Sequence, residues 1–318
     1  MVDGEKGEGP ELTKKFGVKG FPTFVMVNTS GSESDRWMGY ETAAEWVQTV
    51  DEARSDTRSV SDKQEAFASG PTLPLARSLS RQKASSGEYV DAVRYLSAAS
   101  QLDSDPAAKR RYEVAMFDAM ARGMKGGHYT AAQVTRQADR VVDQKGVEGD
   151  ALLNVAYGMG KVARMSHDMT IYEPYLAKAF AATEGTSDES QQKYRDDLMP
   201  DYLMYVKHDT DAAIVAKKAS LSEDWQENSK ELNGFAWWCY ENGVNLEEAE
   251  EYALKGVRLA ATDAERANIL DTAAEICNAR GDCTKAVELI REAVELNPDS
   301  EYFREQLTRF ETISSARS

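Results

Sequence analysis

The pattern of apolar and polar positions changes once along the chain: residues 1–54 mix strand and helix signals, and everything after about residue 62 reads helical. Near the start, Gly9-Pro10 opens a short helix, with proline where its missing N–H is tolerated. Leu12 and Phe16 share one face of that helix and Gly17 closes it. Phe24-Val25-Met26-Val27 is an unbroken apolar run, the pattern of a strand covered on both faces. Asn28-Thr29-Ser30-Gly31 supplies turn chemistry, and Asp35-Arg36-Trp37-Met38 returns as a more polar strand, which predicts a hairpin whose second strand lies at an edge. Ala43, Trp46, Val47 and Val50 then fall at i, i+3, i+4 and i+7, an amphipathic helix. The expected organisation is a small α/β segment over 1–54, a linker over 55–72 and a mainly α region over 73–318.

The helical region repeats. Residues 267–298 place Leu270, Ala274 and Cys277 on one helix, then Gly281-Asp282, Ala286, Ile290, Ala293 and Pro298. This resembles the tetratricopeptide (TPR) pattern, in which small residues let paired helices approach closely. At a shift of 38, Leu232, Ala236, Cys239 and Gly243 repeat Leu270, Ala274, Cys277 and Gly281, and Ala249 corresponds to Ala286. Gly87-Glu88-Tyr89 with Ala92, Leu96, Ala99 and Asp105-Pro106 forms a further copy. Gly127-His128-Tyr129 with Ala132 is a weaker one, and the code decays between 145 and 220. The expectation is an α-solenoid of roughly six helix pairs, capped by a helix carrying Tyr302, Phe303, Leu307 and Phe310. The resemblance maps the inner groove of such a stack onto Asn233, Trp237, Tyr240 and Glu241, and onto Asn268, Asp271, Glu275 and Asn278. Aromatics beside carboxylates suit a basic or amphipathic protein segment. The competing reading is that Trp237 and Trp238 fill the seam between repeats.

The stretch Gly17-Val18-Lys19-Gly20-Phe21-Pro22-Thr23, with a turn at Gly31 and Gly39-Tyr40 ahead of the last helix, resembles the thioredoxin superfamily. The resemblance implies a cis Phe21–Pro22 bond and a substrate groove lined by Phe21, Pro22 and Thr23. It covers only the C-terminal half of that fold. Met1-Val2-Asp3 corresponds to the end of the family's third strand, and the Cys-x-x-Cys motif has no counterpart, since no cysteine precedes Cys239. The expectation is a truncated thioredoxin-like segment followed by TPR-like repeats. This is the layout of bacterial thioredoxin-domain proteins with C-terminal repeats, whose intact parent would exchange thiols and disulfides in client proteins. A purely non-enzymatic adaptor is the alternative. Export of such a parent would need a signal sequence that these residues do not show.

Charge and composition narrow the chemistry. Lys plus Arg number 38 and Asp plus Glu 54, a formal net charge of −16, which is repelled by nucleic-acid phosphates and anionic lipid. No apolar run approaches the roughly 18 residues of a membrane span. Three cysteines, all beyond residue 238, make neither a disulfide framework nor a four-cysteine zinc site. His128, His167 and His208 have no ligand partner at helical spacing, so no metal or other cofactor is predicted. Cys239 and Cys277 read as small core residues, with a Cys277–Cys283 disulfide across the turn as the alternative. Gly158-x-Gly160 lies within a helical stretch without a preceding strand, poor context for a dinucleotide site. The expected partners are proteins or peptides.

Overall fold

The computed structural model describes residue 3 and residues 6–39 and 43–317. Met1, Val2 and Tyr40, which the thioredoxin comparison used, lie outside the described residues. The chain is mainly α, with one small hairpin near its N-terminus, and divides into two compact units, Met1–Gln191 and Gln192–Ser318. No helix among the described residues is long and apolar enough to cross a membrane.

The first unit begins with α1 (Gly9–Lys15), the antiparallel strands β1 (Thr23–Val27) and β2 (Glu33–Met38), and α2 (Ala43–Ser55). The Phe21–Pro22 peptide is cis. Phe24 pairs with Trp37 and Val25 with Arg36 across the hairpin. One face of it packs on α2 through Phe24, Trp37 and Trp46, whose rings lie 4.5–5.7 Å apart. On the other face, the Arg36 guanidinium donates to the Phe16 carbonyl and to Glu33.

The burial of the two strands is the reverse of the sequence expectation. Ser34, Asp35, Arg36 and Trp37 of β2 are buried, whereas β1 is half-buried and Val27 is 46% exposed. The cause is a polar dock built by two helices that follow. Residues 55–72, expected as a linker, hold α3 (Val60–Ser69), started by a Ser59/Asp62 capping box. From α3, Lys63 Nζ donates to the Ser34 carbonyl (2.7 Å) and to Ser78 Oγ (2.9 Å), and lies 3.7 Å from Asp35. From α4 (Leu73–Ser86), Ser78 Oγ donates to Asp35 Oδ2 (2.8 Å) and Arg81 reaches the same oxygen (3.3 Å). Lys63 is 1% exposed and Asp35 0%, so each is the other's counter-charge in a nearly dry site. Arg81 and Arg77 both hold Glu52 of α2 at 2.9 Å. Burial alone would raise the Glu52 carboxyl, but these two guanidiniums keep it below its usual range. The hairpin is thus bolted to the first helices by charge as well as by aromatic packing.

Helix pairs follow: α4 with α5 (Tyr89–Leu102), α6 (Pro106–Gly123) with α7 (Ala131–Val142), and α8 (Gly149–Ser166) with α9 (Glu173–Ala182). Gly87 closes α4 at φ 79°, and Ala92 and Ala99 of α5 are wholly buried, as the repeat reading requires. The weaker copy is out of register. A Thr130/Gln133 capping box starts α7 at Ala131, which puts Ala132 on the outer face and makes Val134, Ala138 and Val141 the core positions. Gly158 and Gly160 belong to α8 and serve packing. A Cβ on Gly158 would sit 2.6 Å from the Phe117 ring, and one on Gly160 would sit 2.8 Å from Tyr172.

α10 (Glu189–Asp201) carries Pro200 and continues into a π-helical turn, Tyr202–Val206, on which α11 (Thr210–Ala219) packs. This irregular backbone coincides with the part of the sequence where the repeat code decays. In the second unit α12 (Ser229–Asn242) pairs with α13 (Leu246–Leu259), α14 (Asp263–Ala279) with α15 (Cys283–Leu296), and α16 (Glu301–Arg317) packs on α15. Leu232, Ala236, Cys239, Leu270, Ala274 and Cys277 are each at most 1% exposed. Gly243 and Gly281 both have the positive φ that lets a helix end in a tight turn. The helix pairs are TPR-like, with equivalent residues in equivalent places.

Candidate functional site

α12, α14 and α16 present one shared face, and the eight predicted groove residues all lie on α12 and α14. The structure sorts them by depth. Glu241 and Asn268 are exposed; Asn233, Trp237, Tyr240 and Asn278 are half-buried; Asp271 and Glu275 are buried. Trp237 and Tyr240 lie one turn apart with ring centroids 5.2 Å from each other. Trp238 is 7% exposed and stacked near Phe235, so it fills the seam, whereas Trp237 is only half-buried.

The two buried carboxylates are tied down by groups of this chain. Tyr240 donates its hydroxyl to Glu275 Oε2 (2.9 Å), and the Arg309 guanidinium donates to Glu275 Oε1. Tyr302 donates to Asp271 Oδ2 (2.9 Å), while Asp271 Oδ1 is buried without a partner. Tyr302 and Arg309 are the contributors that sequence reasoning missed. The terminal helix reads as a cap because Phe303 and Phe310, seven apart, are buried at 4% and 0%. The same spacing one residue earlier joins Tyr302 to Arg309, and that parallel stripe was the available signal.

Burial pushes the Asp271 carboxyl up to about 6, the Tyr302 hydrogen bond offsetting only part of the effect. An acid whose folded pKa exceeds its unfolded value binds more protons when folded. Its share of stability is therefore complete below about pH 4 and is lost as pH rises through 6. Asp271→Asn is expected to raise the melting temperature of the second unit at pH 7, by up to about 2 kcal/mol of stability. It is also expected to flatten the pH dependence between 4 and 6. Thermal melts of both proteins across pH 4–8 check this, and parallel curves for the two would refute it.

Cys239, Cys277 and Cys283 are buried and not disulfide-linked, so the disulfide alternative for Cys277 and Cys283 is not realised. Burial pushes the Cys239 and Cys277 thiols up to about 12, where a thiolate is scarce at neutral pH. Ellman's reagent is expected to label neither of these two over minutes in native protein and to label all three cysteines in denaturant. Fast native labelling of Cys239 or Cys277 by peptide mapping would contradict this.

In the first unit, Phe21 is 62% exposed, Pro22 and Thr23 are half-buried, and the Thr23 hydroxyl donates to the Gly20 carbonyl (2.6 Å). The structure places these three at one end of an open apolar slot of about 1010 Å³ that runs along β1.

No family model matches the chain, and no curated protein matches it. Among solved structures, one similar chain is the TPR2AB-domain:pHSP90-complex of yeast Sti1. It has a TM-score of 0.28 and 11% identity, over 76% of this chain and 84% of that one. At that score the likeness carries no argument. The TPR-like character rests on the helix pairing and equivalent core positions described above.

Proposed function

We propose that this protein is an interaction scaffold whose α12–α14–α16 face binds a basic or amphipathic segment of a partner protein. The observation that supports this most is the half-open Trp237–Tyr240 pair beside exposed Glu241 and Asn268, on a chain of net charge −16. Asp271 and Glu275 act behind that surface rather than meet the partner directly: Glu275, held by Arg309, accepts from Tyr240 and so holds that ring, while Asp271 accepts from Tyr302.

The test is a set of fluorescent peptides of equal length and varied charge. Basic peptides with aromatic residues should bind and lose about tenfold in affinity on Trp237→Ala, roughly 1.4 kcal/mol, and again on Glu241→Lys. Equal affinity for acidic peptides, or indifference to both substitutions, rules the reading out.

The finer reading is that residues 1–54 are the C-terminal half of a thioredoxin-like domain, supported by the Gly17–Thr23 motif and the hairpin that follows it, with its turn at Gly31. On that reading a parent with the full domain would carry thiol–disulfide exchange, with the repeats positioning clients. Burial keeps Cys239 and Cys277 protonated, so these two thiols do not supply it. An adaptor with a structural hairpin is the second reading, favoured by the charged dock of β2 on α3 and α4.

A further inference from the structure

Asp271 and Glu275 lie one helical turn apart on α14, 6% and 5% exposed, and their oxygens are unequally served. Glu275 accepts from Tyr240 of α12 at one oxygen and from the Arg309 guanidinium of α16 at the other. Asp271 accepts at Oδ2 from Tyr302 of α16, while its Oδ1 is sealed from water and has no partner among the described residues. A dry carboxylate oxygen without a donor is costly when charged, and the cost falls when that oxygen takes up a proton. Asp271 Oδ1 is therefore where the pair holds its proton, and Glu275, with Arg309 against it, stays the ion.

The surroundings of Asp271 set how firmly that proton is held. Burial acts first to raise its pKa, Tyr302 lowers it, the Glu275 charge raises it and Arg309 lowers it, with a balance at about 6. Tyr240 faces the pair from α12, whereas α13 and α15 pack on the other side of α14, where Glu250 and Lys285 lie against Cys277. The Asp271 charge also reaches the groove. Burial, then Glu275, then Asp271 push the Tyr240 hydroxyl up, and the Tyr240 ring centroid lies 5.2 Å from that of Trp237.

We propose that partner binding at the α12–α14–α16 face is coupled to release of the Asp271 proton, so that the face holds a basic segment more tightly in neutral than in mildly acidic solution. The proposal rests on the scaffold reading and adds its regulation. A cation docked over Trp237 and Tyr240 supplies the second positive charge that the two carboxylates lack, and the proton passes to water. Reciprocally, protonating Asp271 removes one negative charge from behind the groove and weakens binding by the same factor. The bound form ionises at a lower pH than the free form. Affinity therefore falls as pH drops below about 6 and is level above it.

The experiment is a calorimetric titration of the whole chain with a peptide rich in lysine and phenylalanine, blocked at both ends and free of histidine and carboxylates. Affinity should be about three- to tenfold higher at pH 7.5 than at pH 5. At pH 6, titrations in two buffers of different ionisation enthalpy should show protons released on binding. Asp271→Asn, which fixes the side chain neutral, should bind at pH 7.5 with the affinity of the acid form and lose the pH dependence. Tyr302→Phe keeps the ring but removes the donor to the charged carboxylate, so the midpoint should move to higher pH. That second variant decides should the asparagine variant fail to fold. Binding indifferent to pH, a dependence that Asp271→Asn retains in full, or a midpoint that Tyr302→Phe leaves in place overturns the proposal and leaves the scaffold reading standing. No binding at either pH overturns both.

Discussion

Asp35→Ala is expected to destabilise the first unit by about 3–5 kcal/mol, among the largest effects of any single substitution in the chain. The reason is what remains. Lys63, 1% exposed, would keep its charge or lose its proton in a site whose other donors and acceptors are the Ser34 carbonyl and the Ser78 hydroxyl. Arg81 would lose one of its two carboxylates and keep Glu52. The reciprocal change, Lys63→Met, should cost less, because Asp35 retains Ser78 and Arg81 as donors and the methionine stem refills most of the lysine's volume. Urea unfolding followed by hydrogen-exchange mass spectrometry reads the two units separately. The asymmetry is the test. A cost below about 1 kcal/mol for Asp35→Ala, or a larger one for Lys63→Met, would mean that the pair is not a dry ion pair.

The dock around Asp35 also marks a limit on what the sequence reveals. Helix pairing was legible wherever core positions recur at a fixed shift: Leu232 with Leu270, Ala236 with Ala274 and Cys239 with Cys277 are all buried at most 1% exposed. The cap was legible through Phe303 and Phe310. The burial of β2 was not, because its partners come from residues 63, 78 and 81, which share no period with residue 35, and because Asp35-Arg36 has the polarity of a surface strand. Hydropathy patterning assumes that polar residues face water, and here they face each other. The same assumption made Asp271 and Glu275 open groove carboxylates. On the structure they are buried, held by Tyr302 and Arg309 from a helix that patterning read only for its apolar stripe. Ala132 failed for another reason: a capping box two residues earlier set the phase of α7, and phase, unlike period, depends on where a helix starts.

Close approach explains Gly158, a glycine in the interior of α8. Phe117 of α6 is 0% exposed and its ring lies where a Cβ on Gly158 would come within 2.6 Å of Cε1 and Cζ. Phe117→Ala is expected to cost about 3–5 kcal/mol, since a whole ring is removed from a contact surface that cannot close fully. Gly158→Ala acts in two opposed ways: it gains about 0.5–1 kcal/mol of helix propensity and loses about 1–3 kcal/mol by forcing the ring aside. The net is a loss in the wild-type background. In the Phe117→Ala background the obstacle is gone and the new methyl enters the vacated space, so the same Gly158→Ala change should turn stabilising. Urea unfolding of the two single variants and the double variant closes the cycle. A reversal of sign shows that Gly158 is there to admit Phe117, whereas additive costs would show that the glycine answers to some other demand on α8.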